Sequence, residues 1–350
     1  YPLSICIPTK RDLELSKNTI SSAIGFCESS KSELVVSDNS SDKKKLDMWN
    51  NIKLPFMKYL KEKPHTCKYH KGWVENWANG IDNCSGSFTG ILCDDDLILN
   101  LGESQIDYNT IVSKDIVGIK PLISLWNQEV GIYKINNFNI DAHNASQRIK
   151  QYYKNAAGNN STYFSFFKSD VLKSMFKILK YHPTKGGYLD WAITTSLIAE
   201  GKIFTDSTKL LIYKNENWFG NNEYLNQKSK LLFTECGLEE KSFLYERLFR
   251  ALDCFIMIMR ADSLLNYREQ IEAAKMVFTD NINLFMSKYS KNKSSFSVEE
   301  NLLIEKINSS FCLENKLKLF LEILGCQSQE LREKYKIFYK KSLQKAWGKF

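Results

Sequence analysis

Over the first two thirds of the chain apolar residues come in short runs, and over the last third they come at helical spacing. Leu3-Ser4-Ile5-Cys6-Ile7 is a strand signal stopped by Pro8-Thr9. From about residue 13 to residue 26 the spacing turns helical, with Leu15, Ile20, Ala23 and Ile24 on one face. Glu33-Leu34-Val35-Val36-Ser37 reads as a second strand and runs straight into the polar loop Asp38-Asn39-Ser40-Ser41-Asp42. Strand, helix, strand and polar loop in this order predict a βαβ unit with a parallel sheet. In such sheets ligands bind beyond the carboxyl ends of the strands, where residues 38–42 would lie.

Further on, residues 72–81 predict a helix that leads through Gly86 into another apolar run. Two short strands are expected within 116–130, and a loop or insertion over the weakly periodic, polar stretch 136–160. Residues 163–167 alternate like a strand and 169–179 read as a helix. Gly186-Gly187-Tyr188-Leu189-Asp190-Trp191 opens a helix through Ile198, and 202–204 and 210–213 look like closing strands. Beyond about residue 226 strand signals vanish, as in Phe243-Leu244-Tyr245 followed by Arg247-Leu248 and Ala251-Leu252. A boundary between residues 220 and 230 therefore divides an α/β domain (1–225) from a helical C-terminal domain (226–350).

The strongest chemical signal is Gly90-Ile91-Leu92-Cys93-Asp94-Asp95-Asp96-Leu97-Ile98-Leu99, three carboxylates clamped between two apolar runs. Like charges so close repel unless a cation sits among them, and hard oxygen ligands suit Mg²⁺ or Mn²⁺ carrying phosphates. The plainer reading is a solvated loop or helix start. No GxGxxG follows the first strand and no GxxxxGK[ST] occurs anywhere, which disfavours a dinucleotide-type Rossmann site and a P-loop.

Composition narrows the classes further. With 43% hydrophobic and 25% charged residues the 350-residue chain is ordinary for a soluble globular protein. No apolar run approaches the ~18 residues of a membrane span, and no signal-like segment opens the sequence. A net charge of +8 favours an anionic partner. Nine scattered cysteines without a CxxC pair read as free thiols in a reducing cytoplasm. His65, His70, His143 and His182 show no dyad spacing, and His65, Cys67 and His70 match no zinc pattern.

Taken together, Leu3 to Thr9, Glu33 to Asp42, Asn76-Trp77 leading to Gly86, and Asp94-Asp95-Asp96 resemble an inverting family-two glycosyltransferase across roughly the first 220 residues. The resemblance implies a GT-A fold, an α/β mixed sheet flanked by helices, here followed by an all-α C-terminal domain. It implies that Pro8, Thr9 and Asp38 hold the base and ribose of a nucleotide-diphosphate sugar, with Asn76 beside them. It further implies a DXD-type contact to ribose and the metal-bound diphosphate. Asp96 is then the principal ligand of Mn²⁺ or Mg²⁺, and Asp94 contacts ribose or the metal. Those roles move to Asp95 if the register shifts, since Cys93 stands where the commoner form has an acid. Lys10 and Arg11 lie where the diphosphate could be met, or are solvated loop charges. Asp190, placed like the family's base at the start of a helix, is the candidate catalytic base, and helix capping is its plainer role.

The implied reaction transfers a sugar with inversion to a glycan or lipid-linked glycan, as in surface polysaccharide synthesis, and no nucleic-acid partner is expected. Trp73, Trp77 and Trp191 flank the site, as stacking platforms or as core. The C-terminal stripe Leu331, Tyr335, Phe338, Leu343 and Trp347, set among lysines, reads either as a seat on an anionic membrane surface, at the inner face of the cell membrane, or as a packed terminal helix. Rival readings are a nucleotidyltransferase, which would want glycines after the first strand, and a non-catalytic glycan- or nucleic-acid-binding module, which leaves the acids without a purpose.

Overall fold

The computed structural model describes residues 1–60, 73–111 and 115–343. The chain opens with β1 (Leu3–Thr9), α1 (Leu13–Ser30) and β2 (Glu33–Asp38) as expected, adds α2 (Lys43–Asn51) and β3 (Met57–Leu60), which were not expected, and continues with α3 (Trp73–Asn83), β4 (Phe88–Ile91) and β5 (Leu97–Asn100). After a single turn, α4 (Tyr108–Ile111), come β6 (Ile116–Asn127), β7 (Gly131–Asn136), α5 (Ala145–Ala156), β8 (Phe166–Lys168), α6 (Ser169–Leu179), α7 (Asp190–Glu200) and β9 (Lys202–Lys214). The remainder is helical: α8 (Asn222–Thr234), α9 (Glu246–Ile258), α10 (Tyr267–Tyr289), α11 (Val298–Ser309), α12 (Leu313–Gln327) and α13 (Gln329–Ser342). The chain is thus a mixed sheet flanked by helices with an all-helical C-terminal region, the fold class expected.

The sheet runs β3-β2-β1-β4-β8-β6-β9-β5, with β7 paired to β6. Strands β3, β2, β1 and β4 are parallel, whereas β8 joins β4 and β6 antiparallel. Every residue of β1 and β2 is buried, as a parallel strand covered on both faces requires. Their unbroken apolar runs are the reason the βαβ unit could be read from the sequence.

Several expectations change. Of the face expected on α1, Ile20 and Ala23 are buried and Ile24 packs against the core, but Leu15 is 65% exposed, and Ser16, Thr19, Phe26 and Cys27 are buried in addition. Helical spacing defines a stripe, but which edge of it meets the sheet is set by the docking angle. Residues 116–127 form one long strand, and its hairpin partner β7 starts only after a turn in which Asn127 Oδ1 accepts the Glu129 and Val130 N–H groups and Gly131 adopts a φ of +73°. The closing strands are one strand, β9, interrupted by a bulge between Asp206 and Leu210 that Asp206 secures by accepting from Ser104, Thr208 and Tyr108. Of residues 163–167, the first two belong to a 3-10 turn and only Phe166 and Phe167 pair in the sheet.

The stretch 136–160 is not a plain loop. It contains α5, which buries Ile149, Tyr152 and Ala156 and is capped by Asn144. Arg148 locks it in place by donating to the Ile198 and Ala199 carbonyls at the end of α7. The buried positions of α5, Ala145, Arg148, Ile149, Tyr152 and Ala156, keep helical spacing, but the stripe includes an arginine and stands among polar residues, so it is weak in the sequence.

The helical region shares one continuous apolar core with the sheet layer. Arg260 pairs with Glu200 at 2.8 Å, both fully buried. His182 lies 3.0 Å from Asp253, and Tyr335 of α13 donates to the same carboxylate at 3.1 Å. Leu331, Tyr335 and Phe338 are thereby buried, so this part of the C-terminal stripe packs inward, while Trp347 lies outside the described residues. His65, Cys67 and His70 also lie outside them. Of the cysteines described, all are free, and Cys312 and Cys326 are exposed. No helix among the described residues is long and apolar enough to cross a membrane.

Candidate active site

Because β1, β2 and β4 run parallel, Thr9, Asp38 and the 92–96 segment emerge at the same carboxyl-terminal rim of the sheet. There the Asp94 carboxylate is enclosed by the loop after β1. Thr9 Oγ1 donates to it at 2.7 Å, the Lys10 and Arg11 N–H groups each at 3.1 Å, and Arg11 Nε lies 3.0 Å from its other oxygen. Arg11 also reaches Asp95 at 2.7 Å, and with 40% of its side chain exposed the guanidinium still faces solvent. Behind the rim, Asn76 accepts from Ser37 Oγ at 2.7 Å and donates to the Thr9 carbonyl at 3.3 Å. Pro8 is buried in β1 opposite Ser37.

Lys45 holds this rim together. Fully buried on α2, its Nζ donates to Thr9 Oγ1 at 2.6 Å and to the Arg11 carbonyl at 2.7 Å, and lies 3.7 Å from Asp38 Oδ1. Burial draws its pKa down, and Asp38 and Asp94 pull the other way. In sequence it is one of three lysines that resemble a solvated run. The available signal is electrostatic: cations are disfavoured in the first turn of a helix, and Lys43-Lys44-Lys45 is that turn.

Asp96 is only 1% exposed. One oxygen accepts the Lys214 N–H at 2.8 Å, and the other is buried with no partner among the described residues. Burial first, then Asp95, pushes its pKa well above the usual carboxylate range. Asp95 is raised as well, by burial and against the pull of Arg11. Ligand atoms of Cys93, Asp95 and Asp96 all lie within 4.8 Å of one another. An orphaned buried carboxylate oxygen beside a second carboxylate suits a hard divalent cation. The triplet is thus divided in its surroundings, with Asp95 and Asp96 gathered while Asp94 is taken up by Thr9 and the loop amides.

Asp190 stands apart, in the wall of a cavity of about 1420 Å³ that Tyr213, Asn160, Trp191, Trp218, Arg247 and Arg250 also line. It is the first residue of α7, and Oδ1 accepts the Trp191 N–H at 2.7 Å, so a helix-start contact is present. Asn160 Nδ2 donates to Oδ2 at 2.9 Å, and the Tyr152 hydroxyl donates to Asn160 Oδ1, which fixes the amide's orientation. Burial pushes the Asp190 carboxyl up to about 6, opposed by the Asn160 hydrogen bond and the Arg250 charge. Gly186, just before, is needed for space: a Cβ there would stand 2.8 Å from both Cys236 Sγ and Tyr188. Trp191 faces the cavity with Arg250 5.0 Å above its ring, whereas Trp73 packs edge-on against Trp77, which stacks on Tyr163.

Tyr213 lines the same cavity as Asp190. Its hydroxyl pKa is raised chiefly by burial and then by Asp96, Cys93, Asp190 and Asp95, so one phenol lies in the fields of the rim acids and of Asp190. Tyr213, Asn160, Arg247 and Arg250 carry no motif in the sequence.

No family model and no curated protein matches the chain. Among solved structures, that of S. aureus TarS 1-349 is 13% identical, with 97% of this chain and 92% of that one covered at a TM-score of 0.40. The same fragment in complex with UDP-GlcNAc is 12% identical, with 98% and 93% covered at a TM-score of 0.39. GalNAc-T7 with UDP, GalNAc and Mn²⁺ is 16% identical, with 84% and 57% covered at a TM-score of 0.41. Likenesses this loose do not establish what the chain does.

Proposed function

We propose that the chain is a metal-dependent glycosyltransferase that moves a sugar, with inversion, from a nucleotide-diphosphate donor to a hydroxyl acceptor in surface polysaccharide or similar glycan synthesis. What supports this most is the presence of two unlike carboxylate settings: the crowded Asp94 to Asp96 group at the strand ends, where Arg11 bridges Asp94 and Asp95, and Asp190 in the wall of a large cavity.

In this reading the nucleotide lies over the rim formed by Pro8, Thr9, Asp38 and Asn76, with Asp94 and Arg11 ordering the loop above β1. Mn²⁺ or Mg²⁺ held by Asp95 and Asp96 would neutralise charge growing on the departing diphosphate. Arg11, facing solvent, adds a positive charge of its own. Asp190 takes the proton of the acceptor hydroxyl. With its pKa near 6 it is ionised at neutral pH yet more basic than an ordinary carboxylate, as a general base should be. Asn160 holds the carboxylate in orientation. Residues 1–225 then supply donor site and base, and the helices beyond 226 close the acceptor side.

A thermal-shift panel of UDP, GDP, dTDP and CMP, with and without Mn²⁺, on the full chain and on an Asp95→Ala/Asp96→Ala variant tests this. One nucleotide should raise the melting temperature in a metal-dependent way that the variant loses. No shift with any nucleotide overturns the reading.

A further inference from the structure

The cavity beside Asp190 holds more positive charge than its carboxylates engage. Arg247 and Arg250, three residues apart on α9 and so on one face, line it together with Lys288 of α10. Arg250 pairs with Glu246 at 2.7 Å, and Lys288 lies 3.6 Å from the same side chain. Asp190 is held by Asn160 and the Trp191 N–H. Arg247 is left over. Its Nε is buried with no hydrogen-bond partner among the described residues. The charges that reach it are Arg250, which repels, and Glu246 and Tyr153. Asp280, the remaining acid of the wall, is not among them.

A buried guanidinium donor without an acceptor is costly, and the fork is shaped to meet a phosphate or carboxylate with two parallel hydrogen bonds. We propose that Arg247, backed by Arg250, receives an anionic group, phosphate or carboxylate, on the acceptor, so that the acceptor is an acidic glycan segment. The word acceptor rests on the transferase reading, whereas the anion site rests on the cavity alone. The donor's diphosphate has its own cation, Arg11, at the strand rim. Aromatic walls from Trp191, Trp218 and Phe219 would cover the sugar rings that such an anion accompanies.

The test is titration of glucose 6-phosphate, glucuronate and glucose into the full chain, followed by calorimetry, for the unaltered protein, Arg247→Gln and Arg11→Gln. The unaltered protein should bind at least one acidic sugar about tenfold or more tighter than glucose, and Arg247→Gln should abolish that preference while Arg11→Gln keeps it. Nucleotide-induced thermal shifts of Arg247→Gln should match those of the unaltered protein. Equal binding of all three sugars, a preference that survives Arg247→Gln, or one lost in Arg11→Gln overturns the proposal. If the Gln variant does not fold, Arg247→Lys carries the test: a point charge without the fork should lose about threefold or more of the preference, and an unchanged preference overturns it. A preference that depends on Arg247 in a protein that binds no nucleotide would uphold the anion site and remove the transferase reading.

Discussion

The rim of β1, β2 and β4 and the cavity at the start of α7 both present carboxylates whose pKa is raised by burial, Asp95 and Asp96 at one and Asp190 at the other, but with different partners. At the rim, Asp94 and Asp95 are tied to Arg11, and the loop that carries it is nailed down by the buried Lys45. In the cavity, Asp190 has one amide and one backbone N–H for company, and burial raises its pKa. A prearranged rim with Arg11 and Lys45 is suited to holding a charged ligand still, and a carboxylate with a pKa near 6 is suited to taking a proton. In the proposed reading that difference divides binding from chemistry, and each side can be broken separately.

The largest effect should come from the cavity. Asp190→Asn should lower transfer about 10²- to 10⁴-fold while leaving nucleotide-induced thermal shifts unchanged, measured as product formation against melting curves. If nucleotide binding falls equally, the division fails. At the rim, Lys45→Met strands Thr9, the Arg11 carbonyl and Asp38 without their buried partner, and should cost about 3–5 kcal/mol in urea unfolding. The pH profile sharpens the same contrast. Activity should rise with pH through about 6 as Asp190 ionises. Stability moves the other way: an unfolded aspartate loses its proton near 4, the folded one near 6, so the folded state holds the extra proton and Asp190's contribution falls as pH rises across that window. Asp190→Asn should therefore melt higher than the unaltered protein above pH 6, with the gap closing toward pH 4. Smallest of all, Leu15→Lys should change stability by no more than about 0.5 kcal/mol, because the residue faces solvent on α1.

The rim was legible because its parts are short-range. Strand β1 and the Pro8-Thr9 stop, strand β2 and Asp38, and the apolar clamp around Asp94 to Asp96 each lie within about ten residues, where periodicity and charge clash speak directly. Lys45 escaped because a buried lysine and a solvated one are written alike. The cavity was legible only around Asp190, from Gly186 to Trp191. Asn160, Tyr213 and the α9 pair Arg247 and Arg250 come from three separate segments, and Asn160 sits in the stretch expected to be a loop.

Alternation and unbroken apolar runs, set by the two-residue repeat of a strand and the 3.6-residue repeat of a helix, were enough to place β1, α1 and β2 as a parallel unit, to announce an all-helical C-terminal region, and to single out the acid triplet as a candidate site. Which acids gather, which lysine is enclosed and which arginines face Asp190 depended on the packing of α2, α5 and α9 against the sheet layer. Burial and long-range charge are properties of neighbours brought together by folding, and no local repeat encodes them.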